Sequence, residues 1–312
     1  MRILVAGATG AIGRQLVPRL VADGHEVVGM TRSPEKLELV EQMGATPVVA
    51  DALDARQVGQ AVAAAQPEVI VHQLTALSTA DVRRFERSFA QTNRLRTEAT
   101  DHLLAAGRAV GVRRFVAQSF AGWPFAPVGG PIKSEEDPLD PEPVSQMRAT
   151  LDAIRYLEAA VTGASWTEGI VLRYGFLYGP GTSLGPDGEG TRQILKRQFP
   201  IIGDGAGVWS FIHVEDAAAA TVAAIERGQR GIYNIVDDDP APVAVWLPET
   251  SRLLGGKPPR RVPRWLGRLL AGPAVTRLIT ASRGASNQKA KRELGWAPRY
   301  RSWRDGFASF AA

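Results

Sequence analysis

The chain has 312 residues and no cysteine, so disulfide cross-links and thiolate catalysis are both excluded. It also lacks any apolar run near the roughly 20 residues that cross a bilayer. The most hydrophobic late segment, WLGRLLAGPAVTRLIT, is broken by Arg268, Pro273 and Arg277. The opening MRILVAGATG enters a strand directly, without a charged stretch followed by an apolar one. A secretory leader is therefore not expected, and the expected location is cytoplasmic. Long basic blocks are absent too. The net charge is +5, but the arginines are scattered among Asp and Glu, and the densest clusters, Arg260-Arg261 and Lys289–Arg292, are short. This pattern favours solvated faces around an anionic small ligand over a nucleic-acid groove or an acidic membrane surface, so neither nucleic acid nor membrane is the expected partner. No metal site is expected.

What is present is an alternation. ILVAG (3–7), EVVGM (26–30), TPVVAD (46–51), EVIVHQL (68–74), RRFVAQS (113–119) and EGIVLRYG (168–175) are short apolar strands separated by helical patterns. Two of those helices span about 80–107 and 145–163. Short apolar strands between amphipathic helices predict an α/β fold, a doubly wound, Rossmann-like parallel sheet covered on both faces. The second half is less regular. WSFIHV and GIYNIVDD read as further strands, and the chain after Asp239 as helical and proline-punctuated. The expected division is a dinucleotide-binding core over 1–178, rejoined by about 208–236. Residues 179–207 and 237–312 then form a smaller, mostly helical substrate region. The loops 122–144 and 179–190 are long enough to be lids or binding loops; disorder is the alternative for the first, with its acidic run SEEDPLDPEP.

GATGAIG sets Gly7, Gly10 and Gly13 between the first strand and first helix. Gly7 permits the tight turn, Gly10 lets backbone approach a pyrophosphate, and Gly13 lets helix and strand pack closely. The helix N-terminus then offers free N–H groups to phosphates, which brings Thr9, Ala11 and Ile12 into the same site. An acidic residue that would bind a ribose 2′-hydroxyl is missing from the end of the second strand, where Met30, Thr31, Arg32 and Ser33 stand. Arg32 can clamp a 2′-phosphate instead, so NADP(H) is expected over NAD(H).

The GxxGxxG spacing resembles the short-chain dehydrogenase/reductase superfamily. VLRYGFLYGPG (171–181), FIHVEDAAAA (211–220), GIYNIVDD (231–238) and AKRELGWAPRYRSWRDGF (290–307) resemble, in order, its extended, NAD-dependent epimerase/dehydratase branch. The resemblance implies that Asp51 and Ala52 meet the adenine, with Asp51 read alternatively as a helix N-cap. It implies that Leu74, Thr75 and Ala76 line the ribose and that Asn93 orders the catalytic face. It places Ser119 at the active-site serine, Trp123 where a tyrosine often stands, and Tyr174, Gly175 and Phe176 near the nicotinamide. It also implies a homodimer through the helices at 80–107 and 145–163. His72 and His213 read as hydrogen-bonded core histidines.

The resemblance breaks in TLDAIRYLEAAV (150–161). The family's proton-donating tyrosine and the lysine four residues on are replaced by Thr150 and Ile154, with Glu158 fixing the register. Tyr156 lies about 240° around the helix from Thr150 and cannot take its place. A second break is Trp209-Ser210, where sugar-nucleotide enzymes tend to carry an arginine. With Trp123, Phe125, Tyr178 and Phe211, Trp209 suggests a pocket for a flat or apolar substrate, bordered by Thr150. The expectation is an atypical NADP(H)-dependent oxidoreductase reducing a carbonyl or activated double bond of a small metabolite. Its proton would come from Ser119, Tyr174, Tyr178, water or a substrate hydroxyl, with Ser119 as the carbonyl donor. A non-catalytic nucleotide-binding sensor or partner-binding protein is the alternative, and a sugar-nucleotide epimerase or dehydratase the third.

Overall fold

The structure, a computed structural model, describes residues 1–77 and 84–310. The first half alternates strand and helix: Arg2–Ala6 (β1), Gly13–Ala22 (α1), Glu26–Thr31 (β2), Leu37–Gln42 (α2), Thr46–Val49 (β3), Ala55–Ala65 (α3), Val69–His72 (β4) and Phe85–Ala109 (α4). Arg114–Phe120 (β5), Ile132–Lys133 (β6), Ser145–Gly163 (α5), Glu168–Tyr174 (β7) and Phe176–Tyr178 (β8) follow. Then come Glu189–Leu195 (α6), Ile201–Ile202 (β9), Val208–Trp209 (β10), Phe211–His213 (β11), Val214–Arg227 (α7) and Gly231–Ile235 (β12). The chain ends with Ala241–Pro242 (β13), Val243–Leu253 (α8), Arg261–Val262 (β14), Arg264–Ala281 (α9), Gly284–Ala285 (β15), Gln288–Leu294 (α10) and Trp303–Ala308 (α11). The expected start of the fourth helix at about 80 lies outside the described residues.

Seven strands form one parallel sheet in the order β12-β7-β5-β4-β1-β2-β3. The sequence order runs outward in both directions from the β1–β4 pair. In an open sheet that switch point opens a crevice beyond the carboxyl ends of the strands. Alternation within the strands builds two apolar layers. Ile3, Val5, Val69, Val71, Val116, Ile170 and Leu172 pack under α1 and α7. Leu4, Ala6, Ile70, Phe115, Ala117 and Val171 pack under α3, α4 and α5. Burial on both faces explains why these strands read as unbroken apolar runs.

A third cluster gathers Trp209, Phe211, Trp246, Ile279, Trp303 and Phe307, with Met147, Leu151 and Ile154 of α5. It is framed by pairs of very short strands, β8–β11, β9–β14, β10–β13 and β6–β15. WSFIHV is therefore two strands and not one. Ser210 divides them because its hydroxyl accepts the Ala285 N–H at 2.8 Å while its carbonyl accepts from Phe176 N–H. The acidic loop is ordered by partners of opposite charge and by backbone. Lys133 holds Asp137 at 2.9 Å, Arg277 holds Asp140 at 2.8 Å, and Glu135 accepts the N–H of Asn234 at 2.7 Å.

Candidate functional site

The glycine turn sits at the switch point. Gly7 has φ +93°, and a Cβ there would lie 2.7 Å from the carbonyl oxygen of Gln73, which follows β4. Its N–H and that of Ala8 donate to Met30 O at the end of β2. Gly13 is buried against the carbonyls of Gly7 and Ala8, whereas Gly10 is exposed, and a Cβ there would have only Gly7 O within 4 Å. No side chain among the described residues caps α1. Thr9 O is taken by the Arg14 side chain, and Ala11 and Ile12 stand at the uncapped helix end. This turn has room for a phosphate only on the Gly10 side.

Arg32 follows β2, is exposed, and makes no hydrogen bond or ion pair among the described residues. Asp51 is also exposed and accepts from Leu53 N–H at 2.9 Å. It is not the helix cap: Asp54 holds that place, accepting from Arg56 and Gln57 at the start of α3. Ala52 is buried behind Asp51, its carbonyl bonded to His102. Leu74 and Ala76 are held by N–H donation to His72 Nδ1 and Thr92 Oγ1, and Thr75 between them is exposed. An open glycine and an uncapped helix end at the switch point fit the phosphates of a dinucleotide.

At the reaction end, the acid pair is physically absent. Thr150 is 1% exposed, its hydroxyl accepting from Asn93 Nδ2 at 3.2 Å, and Ile154 is fully buried beside it. Tyr156 points elsewhere and donates to the Asp101 carboxylate at 2.7–2.8 Å. The three residues named as proton sources are all committed to the interior. Ser119 donates to Glu158 Oε1 at 2.7 Å. Side chains alternate along a strand, so Ser119 shares the α5 face with Ala117, and Phe120 takes the opposite one. Tyr174 donates to Thr221, which itself donates to Ala217 O, and accepts from Gln73 Nε2 at 3.1 Å. Burial pushes its hydroxyl up to about 12. Tyr178 is fully buried on Phe307, with centroids 4.9 Å apart, and desolvation drives its hydroxyl far above the usual phenol range. All three hydroxyls are buried, two of them hydrogen-bonded to interior side chains.

His72 and His213 are the core histidines expected. His72 bridges Leu95 O and Leu74 N–H, and His213 accepts from Glu215 N–H to cap α7. Burial pulls both down to about 4, so both imidazoles are neutral at pH 7.

The aromatics do converge. Trp123 meets Phe85 edge-on at 5.7 Å and Phe120 at 6.4 Å. Phe120 meets Phe176 at 5.1 Å, and Phe176 stacks on Trp209 at 3.7 Å and 9°. Trp209 Nε1 is fixed by Leu278 O at 3.0 Å. A continuous row of aromatic rings thus runs through the third cluster, from α4 past the ends of β5 and β7 to the C-terminal region. Gly175 is fixed between them, since a Cβ there would meet Ser210 O at 2.5 Å. Phe125, by contrast, belongs to a separate small cluster, with Arg173 over its ring.

Sequence reasoning passes over the buried ion pair beneath this wall. Glu158 accepts from Arg173 Nε at 2.7 Å and Nη2 at 2.6 Å. Arg96 lies close enough for Glu158 to oppose the burial that pulls its guanidinium down to about 10. A signal exists: Arg173 is a charge inside an otherwise apolar strand, and such a charge needs a partner. Phe120 and Phe85 escape notice because aromatics within core runs carry no mark of their own.

The chain is similar to several known proteins over nearly its whole length. A 3-diazoavenalumate denitrifying reductase of a Streptomyces species is 48% identical over 307 residues, covering 98% of this chain and 99% of that protein. A 4-hydroxy-2-methyl-3-oxo-4-farnesyl-3,4-dihydroquinoline-1-oxide ketoreductase of Stigmatella aurantiaca is 28% identical over 322 residues, covering 96% and 92%. Among solved structures, the UDP-glucose 4-epimerase of Thermus thermophilus in complex with NAD superposes with a TM-score of 0.76 at 25% identity, over 99% of this chain and 97% of that one. The profile of the NAD dependent epimerase/dehydratase family matches residues 3–236. The chain belongs to the NAD-dependent epimerase/dehydratase family.

Proposed function

We propose that this protein is an NADP(H)-dependent reductase of a small aromatic metabolite whose acceptor group needs no proton from the protein, and that the acceptor is an aryl diazo group released as dinitrogen. The observation that carries this is the α5 face, where Thr150 and Ile154 stand buried in place of an acid pair. Carbonyl reduction leaves an alkoxide, a strong base that requires a nearby acid. An arenediazonium does not. The incoming hydride pair makes the new C–H bond, the C–N bond breaks with its electrons leaving on N2, and the ring ends neutral. The relative at 48% identity is named for a diazo substrate and for denitrification, which supports the same chemistry here. When bound, NADPH supplies the hydride. This chain's part is to hold the dinucleotide through the Gly7–Gly13 turn and Arg32, to present a flat apolar wall from Trp123, Phe120, Phe176 and Trp209, and to keep water from the reacting carbon. Trp209 in place of an arginine leaves no cation at that position for a sugar diphosphate, which disfavours an epimerase.

The test uses 3-diazoavenalumate with NADPH carrying deuterium at the transferred position. One deuterium in the product ring is expected, with one N2 released per NADPH consumed and no label taken from heavy water. Label arriving from solvent would sink the proposal. A ketone panel that oxidises NADPH while the diazo compound does not would favour a carbonyl reductase, the reading that the Stigmatella relative supports. Tight NADPH binding with neither substrate turned over would leave a binding protein.

For the cofactor, Arg32→Ala is expected to weaken NADPH binding about tenfold to a hundredfold, the loss of a charge-assisted contact, with NADH binding unchanged. Titration of both cofactors into both proteins decides it. Equal losses for the two would mean that Arg32 does not read the 2′-phosphate.

A further inference from the structure

Away from the crevice, the first half of α9 carries a surface that the reductase reading does not use. Trp265, Leu269 and Leu270 are 70%, 74% and 66% exposed. They fall within six consecutive positions, and the other large apolar side chains of the described residues are less exposed than all three. Their arrangement follows from the helix. Gly267 is the packed position, because a Cβ there would lie 2.4 Å from Ile202 Cγ2 of β9. At about 100° per residue, Trp265 and Leu269 lie two residues to either side and point almost directly away from the body. Leu266 and Leu270 fall on one flank of that ridge, and Arg264 and Arg268 on the other. The helix then bends at Gly272, φ +87°, before Pro273.

Along this stretch of chain the charge has one sign, with the exposed Asp204 beside Arg264 the acidic neighbour from another element. No acidic residue occurs between Glu249 and Glu293. Lys257, Arg260, Arg261, Arg264 and Arg268 are exposed, and none makes an ion pair among the described residues. Outward tryptophan and leucine beside unpaired arginine is the pattern of a helix that lies in a lipid interface, rings at the acyl boundary and guanidinium groups among anionic headgroups. A ridge, unlike a groove, needs an occupant that yields to it, and a bilayer does so.

We infer that the Lys257–Leu270 segment docks the protein reversibly on an anionic lipid surface. Full-length protein is sedimented with vesicles of phosphatidylcholine alone, and with vesicles of phosphatidylcholine and phosphatidylglycerol in equal parts. It pellets with the mixed vesicles and is released by high salt, as screening requires. Arg261→Gln, Arg264→Gln and Arg268→Gln each weaken partitioning about fivefold, and Trp265→Ser with Leu269→Ser abolishes it. NADPH binding and thermal unfolding stay at wild-type values in every variant, because these side chains are solvent-exposed. The inference is overturned if both vesicle types pellet the protein equally, if neither does, or if the variants pellet like wild type. It is also overturned if light scattering shows a dimer that Trp265→Ser with Leu269→Ser dissolves while vesicles recover nothing, since the occupant is then a second copy.

Discussion

Gly13→Ala is expected to lower stability by about 3 kcal/mol and to abolish cofactor binding. The added Cβ would lie 2.4 Å from the carbonyl oxygens of both Gly7 and Ala8, and 2.6 Å from the Ala8 carbonyl carbon. All three are backbone atoms, so no side chain can swing aside. Relief requires α1 to move off the turn, and that turn is tied to β2 through Met30 O and to itself through Gly10 N–H to Gly7 O. Gly10→Ala is the informative partner. Its Cβ meets nothing closer than Gly7 O at 3.3 Å, so that variant folds with nearly wild-type stability, yet its methyl projects where a pyrophosphate must approach. Thermal unfolding with and without NADPH separates the two. Gly13→Ala loses both stability and the NADPH-induced shift, and Gly10→Ala loses only the shift. A Gly10→Ala protein that binds NADPH as tightly as wild type would remove the pyrophosphate from this turn.

That contrast also shows why the cofactor half is legible in the sequence. The turn is local: three glycines, one strand and one helix specify it within a dozen residues. The six early strands are legible for the same reason, because burial on both faces leaves short apolar runs between helical patterns. The C-terminal region is not. Its strands are two or three residues long, too short for periodicity, and its order comes from pairs such as Arg277 with Asp140, 137 positions apart. WSFIHV reads as one strand because nothing in its composition reveals that β10 and β11 pair with different partners.

At the reaction end, the missing acid is legible and its replacement is not. Thr150 and Ile154 emerge by counting back from Glu158. Ser119, Tyr174 and Tyr178 are suggested by position along the chain, but the direction of a side chain depends on which face of its strand it occupies. Alternation from Phe115 and Ala117 puts Ser119 under α5, and alternation from Leu172 puts Tyr174 under α7. Phe120 takes the face opposite Ser119, and Phe176 lies on β8, which pairs with β11 outside the main sheet and sets its ring on Trp209. Where the family pattern calls for an acid pair, α5 therefore carries Thr150 and Ile154, both buried.

Glu158→Leu is expected to cost about 3–5 kcal/mol of stability. Among the described residues Glu158 is the only carboxylate bonded to Arg173, whose side chain is 4% exposed, and it takes the Ser119 hydroxyl as well. Without it, Arg173 keeps no hydrogen-bonded counter-charge, only the carboxylate of Glu135 acting at longer range, and Arg96 loses the charge that opposes its burial. Arg96 Nη1 and Arg173 Nη1 already lack hydrogen-bond partners among the described residues, so the loss adds to donors that are short of acceptors. Burying one charge unpaired costs more than the pair itself is worth. The double variant Glu158→Leu with Arg173→Leu should accordingly recover part of the loss, since it removes one of the two stranded charges and leaves an apolar contact in its place. Urea unfolding of the single and double variants at pH 7 measures both differences. A single variant within about 1 kcal/mol of wild type, or a double variant less stable than the single, would mean that the pair is not the clamp between α5 and β7. Because neither residue faces the aromatic wall, NADPH oxidation by the folded fraction should survive in both, which separates this buried pair from the reaction it lies beneath.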